Sequence, residues 1–179
     1  MSTSSAPEVW MRGPLPGYAP MLMPIAHALL QAREDVERVA TDATAEELWQ
    51  RPGDAASAGY HLQHLAGSLD RLLTYARGES LDDEQFAALA QEGVAEVPGP
   101  VLLSAVLVQI DGALEQVRHT PLEQLNEARA VGRARLPSTV LGLLVHAAEQ
   151  SARHVGQLTT TLKVVRGLAS RGRPTARSG

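Results

Sequence analysis

The sequence predicts an all-α fold, a four-helix bundle with short extra helices, and three observations carry that expectation. Aromatic residues make up only 3% of the chain while hydrophobic residues make up 44%. The core must therefore be built from Leu, Val and Ala, which suits helices better than strands. Four long segments place apolar residues at helical spacing, and no strand–helix alternation announces a parallel sheet. With 179 residues, the chain suffices for one domain with a sizeable core.

The first segment, Pro20–Ala40, sets Met23, Ile25, Leu29, Leu30, Val36 and Val39 on a broad apolar stripe. Arg33, Glu34, Asp35, Glu37 and Arg38 fill its polar positions. Thr44-Ala-Glu-Glu47 reads as a capping box, and the turn it opens is stopped by Pro52. The second long helix, Ala56–Ala76, ends before Gly78, a residue suited to a left-handed cap. Ser80–Gln91 follows as a shorter helix, with Ser80 as N-cap and Asp82, Asp83 and Glu84 near the positive end of its dipole.

The loop GVAEVPGP breaks the chain before the third long helix, Val101–Arg118, which is apolar at Leu102, Val106, Ile110 and Leu114. The polar stretch Gln124–Arg135 is a loop or a short hairpin. The fourth helix, Ser138–Leu168, spans roughly 45 Å if unbroken. This divides the chain into an irregular N-terminal arm (1–19), the bundle (20–168) and a disordered basic tail (169–179).

The chain has no cysteine, which removes disulfides, thiolate metal ligands and a Cys nucleophile together. A formal net charge of −4 opposes general nucleic-acid binding, and Arg171, Arg173 and Arg177 in the tail read as a solvated end. The N-terminus lacks a basic start followed by an apolar run, and no stretch approaches the ~18 consecutive apolar residues of a membrane span. No nucleic-acid or membrane partner is expected, and the cytoplasm is the expected location. Phosphate-cradling loops, dinucleotide fingerprints and serine elbows are absent from the sequence.

Four of the six histidines lie in two helices. His61 and His64 are three apart on one face of the second helix. In the fourth, positions 146, 150 and 154 advance by only ~40° per step and form one stripe of His146, Gln150 and His154. Residues four apart are separated by ~6 Å along the axis and can share an ion. His146 and His154 stand ~12 Å apart, too far for one metal. A single ion would be held by His154, the residue at 150 and one histidine of the second helix. The competing reading is that these are core histidines hydrogen-bonded across the bundle.

The segments TAEELWQRPGDAASAGYHLQHLAGSLDRLLTYARGESL and LPSTVLGLLVHAAEQSARHVGQLTTTLKVVRG resemble the DinB/YfiT-like superfamily. The likeness is carried by Trp49-Gln-Arg51-Pro52, by His64, and by His154-Val-Gly156-Gln157. It implies an up-down-down-up bundle, a homodimer, and one divalent metal ion, nickel or zinc, held by three histidines. Of these, one comes from the second helix and two from a His-x-x-x-His pair in the fourth. Mapped onto this chain, the ligands are His64, Gln150 and His154, with Gln150 in the place of the middle histidine. The resemblance further implies a metal-dependent hydrolase or thiol-dependent transferase acting on a small-molecule or thiol substrate. The alternative is a non-catalytic bundle with a degenerate site, binding a small molecule or serving as a structural dimer.

Around these residues, Trp49 is expected to cover one end of the core and Arg51 to form a salt bridge. Glu149 and Arg153 should pair on the surface, and Tyr60 should lie on the His64 face. Gln157 is either a partner of a ligand or solvent-facing, and Gly156 is expected to permit close helix contact.

Overall fold

The computed structural model describes residues 6–94 and 97–171. The first four residues of the arm with Ser5, and Arg173 and Arg177 of the tail, lie outside them. Within the arm, Val9–Arg12 form a 3-10 helix whose Val9 is buried against the first long helix.

That helix, α1 (Met23–Ala40), begins with Pro24 in its first turn, where a missing N–H costs nothing. The short α2 (Ala45–Trp49) opens with the expected capping box: Thr44 accepts from the Glu47 N–H, and Glu47 accepts from the Thr44 N–H. Next comes α3 (Ala58–Ala76), capped by Ser57, whose hydroxyl accepts from the Tyr60 N–H. The N-cap of α4 (Asp83–Ala90) is Asp82 and not Ser80, because Asp82 and Gln85 close a second capping box at 2.8 and 3.1 Å. A carboxylate at the positive helix end outcompetes the hydroxyl two residues earlier.

Helix α5 (Gly99–His119) starts two residues before the expected Val101. Its length and mean hydropathy of 1.3 meet those of a membrane span, yet Leu102, Val106, Ile110, Ala113 and Val117 are buried in the protein core. The polar connection resolves as a hairpin. Strands β1 (Ala128–Val131) and β2 (Leu136–Thr139) pair antiparallel, Ala128 opposite Thr139 and Val131 opposite Leu136. A two-stranded ribbon is thus added to an otherwise helical chain. Ser138 belongs to that ribbon, so α6 (Val140–Arg171) begins later than expected and runs on through residues 169–171 of the tail.

Among the long helices, α3 packs on both α6 and α5, and α1 packs on the same two. The core between them is aliphatic: Leu29, Val36, Leu62, Leu69, Ile110, Leu144 and Leu158 are fully buried, each leucine contributing about 1.5–3 kcal/mol by leaving water. The seam between α3 and α6 carries the two histidine segments.

Candidate functional site

Three imidazoles meet at the α3–α6 seam. His61 and His64 come from one face of α3, and His154 from α6 reaches them across the core. The His64 and His154 rings have centroids 4.5 Å apart, and those of His61 and His154 are 5.4 Å apart. The Nδ1 atoms of His61 and His154 stand 3.2 Å apart, so one donates a hydrogen bond to the other. Tyr60 stacks on His64 with its ring tilted by only 15°.

What sequence reasoning missed is Glu92. It sits on the turn after α4, and its carboxylate accepts a 2.6 Å hydrogen bond from His64 Nδ1 and a 2.8 Å one from Arg71 Nη1. Two local features aim it. Gly93 takes a φ of 90°, a turn conformation open to glycine, and its N–H donates to Gln63 Oε1 of α3 at 2.7 Å. Gly67 leaves the space: a Cβ there would lie 2.7 Å from both Arg71 Nη1 and Glu92 Oε1. The Glu92 and Arg71 side chains are only 9% and 13% exposed, against 21% for His64.

The electrostatics divide the three histidines. Burial lowers His61, and a proton on the neighbouring His64 would lower it further. His154 is lowered from 6.5 to about 4, chiefly by burial and then by His64 and His61. Both are neutral near pH 7. Burial alone would raise Glu92, but the hydrogen bonds from His64 and Arg71 outweigh it and hold the carboxyl below its ordinary value.

The other expected residues fall elsewhere. The amide oxygen of Gln150 accepts from Arg153 at 3.2 Å on the exposed side of α6, and no hydrogen bond joins it to His64 or His154. His146 pairs with Glu149 on the same side, and Glu149 also pairs with Arg153, as expected of an exposed helix pair. The Arg51 guanidinium donates to the Asp54 and Ala55 carbonyls, closing its own turn instead of forming a salt bridge. Trp49 does cover the core's end, lying on Gly59 so closely that a Cβ would sit 2.8 Å from its ring. Gln157 faces solvent, and Gly156 meets no neighbour within 4 Å of where its Cβ would be, so it is not a close helix contact.

The chemistry of the cluster follows from who donates. With its Nδ1–H donated to the Glu92 carboxylate, the uncharged form of His64 has its lone pair on Nε2. That is the arrangement of an oriented base. As the side chains stand, no group of three or more His, Asp or Glu among the described residues is disposed to hold a metal ion. The family model of the DinB superfamily matches residues 28–158, which include α3, Glu92 and His154. No curated protein matches the chain.

Proposed function

We propose that this chain, which belongs to the DinB superfamily, is an enzyme of the hydrolase or thiol-transferase type whose general base is His64. Its four long helices are read as the up-down-down-up bundle. The observation that carries the reading is the 2.6 Å hydrogen bond from His64 Nδ1 to a carboxylate that Arg71 also anchors. Glu92 fixes the His64 tautomer and stabilises the imidazolium formed when Nε2 takes a proton from water or a thiol. The freed oxygen or sulfur becomes the nucleophile. Neutral His61 and His154 add no opposing charge beside that imidazolium, and the exposed fifth of His64 gives the substrate access.

Nitrogen NMR of metal-free protein tests this directly. His64 should carry its proton on Nδ1, and Glu92→Gln should redistribute it between the two nitrogens. A His64 protonated mainly on Nε2 in the unmodified protein overturns the assignment. In screens with thiol and amide substrates, His64→Gln should abolish whatever turnover the parent shows.

A second reading, a divalent ion such as nickel or zinc, is favoured by one distance. The 3.2 Å between the His61 and His154 nitrogens is close to the ~3.3 Å edge of a tetrahedron with ~2.0–2.1 Å zinc–nitrogen bonds. Neutral imidazoles are also the form a metal takes. The third donor fits less well, since Gln150 is engaged by Arg153. When bound it would lower the pKa of a coordinated water or thiol. Elemental analysis of untagged protein decides: about one nickel or zinc per chain, lost in His61→Ala and His154→Ala but kept in Gln150→Ala, establishes this reading over the metal-free one. The resemblance also implies a homodimer, which a monomer in light scattering overturns, and the cytoplasm is the proposed location.

A further inference from the structure

A half-open cavity of ≈ 940 Å³ lies away from the histidines. It lies between the N-terminal arm, α1 and the opposite side of α6, and nothing in the proposed chemistry uses it. We infer that this cavity is a binding site for an uncharged, mainly apolar small molecule.

The volume falls within the roughly 300–1,000 Å³ of small-molecule sites. Small side chains make the space: Ala28 and Ala32 on α1 face Ala152 and Gly156 on α6. The outer wall is a built structure. Val9 N–H donates to Gln31 Oε1 at 2.9 Å, His27 Nε2 lies 3.0 Å from the Gly13 carbonyl, and the Arg12 guanidinium forks onto Glu34 at 2.7 and 2.8 Å. These bonds hold Trp10, 63% exposed, at the rim.

The wall's polar groups define the ligand. Asp35 and Arg38 neutralise each other at 2.6 Å, and Gln31 is used at both ends of its amide. A charged ligand would therefore have to break an existing pair. The hydroxyls of Thr159 and Thr160 line the cavity and form no hydrogen bond with another described group. They are the hydrogen-bonding points for a single polar group on an otherwise apolar molecule.

Gly156 supplies the test, because a Cβ there meets nothing within 4 Å. The full chain is titrated with the uncharged fluorophore N-phenyl-1-naphthylamine, reading energy transfer from tryptophan and the emission of the probe itself. Saturable binding of one probe per chain is expected, weakened about tenfold or more by Gly156→Leu. Ala152→Leu, a second filling variant on an exposed face, should weaken it likewise should the first fail to fold. Trp10→Phe should remove most of the energy transfer, and the probe's own emission then reports the binding. Non-saturable binding, or binding that both filled variants retain, overturns the site. Sedimentation velocity runs alongside. A dimer that dissociates as probe binds, or that either filled variant abolishes, overturns it in favour of a surface between two copies.

Discussion

Helix α6 presents two seams of opposite character, and they are only a few residues apart. Toward α3 it offers His154, buried and bonded, beside a carboxylate and a guanidinium that are themselves paired. Toward α1 it offers Ala152, Gly156 and Thr159 around open space. At the polar seam the side chains are bonded to one another, whereas at the apolar seam those of α6 are short and leave space open. Titratable groups become chemically useful where burial perturbs them, and ligand volume collects where side chains are short. Here one helix separates the two by alternating its faces.

If the seams differ in this way, the buried histidines should make the polar seam sensitive to acid. Folded His154 resists protonation until about pH 4, whereas the unfolded histidine titrates near its ordinary 6.5. Between those values the unfolded state binds the additional proton, so stability falls as pH drops through the window and is level above it. The full loss is about 3 kcal/mol, and His61, lowered by the same burial, adds in the same direction. Urea unfolding of EDTA-treated protein at neutral pH and near the lower end of the window measures it. His154→Gln should remove most of the slope; an equal slope in that variant would mean the acid sensitivity resides elsewhere.

The two seams also each contain an arginine–carboxylate pair, which sharpens the contrast. Arg71→Ala strands the 9%-exposed Glu92 on a single partner and should cost about 2–3 kcal/mol, below the fully buried case because both groups retain some exposure. Arg38→Ala at the cavity rim breaks a pair whose side chains are 64% and 27% exposed, and should cost less than about 0.5 kcal/mol. Comparable losses in thermal unfolding would mean that the polar seam is no more desolvated than the rim.

Much of this arrangement is legible in the sequence, and the exceptions have physical causes. The four long helices follow from apolar spacing because each buries one stripe on a shared core. His64 and His154 are legible for the same reason, since their positions on the stripes put them at the seam. Glu92 and Arg71 are not. The carboxylate reaches His64 from 28 residues away, off a turn that carries no periodic signal. Ser80 reads as the cap in the sequence, whereas Gln85, bonding back to the Asp82 N–H, sets the helix start two residues later. The cavity is hidden because Ala and Gly facing one another across two helices read the same whether the helices close in or stand apart.

That last ambiguity leads to the subtlest test, a pair of glycines substituted alike. At Gly59 a methyl group would meet the Trp49 ring at 2.8 Å, and the ring, packed against the core, has little freedom to retreat. Overpacking there should outweigh the gain from a stiffer helix and leave Gly59→Ala about 1–2 kcal/mol less stable. At Gly156 the methyl group meets nothing within 4 Å. Only the backbone term remains, because alanine loses less freedom than glycine when a helix forms, so Gly156→Ala should be more stable by about 0.5–1 kcal/mol. Opposite signs in parallel thermal melts mark one glycine as a closed contact and the other as the edge of a real space. A loss at Gly156 as large as at Gly59 would mean that α1 and α6 close against each other in solution, and the cavity would disappear with that result.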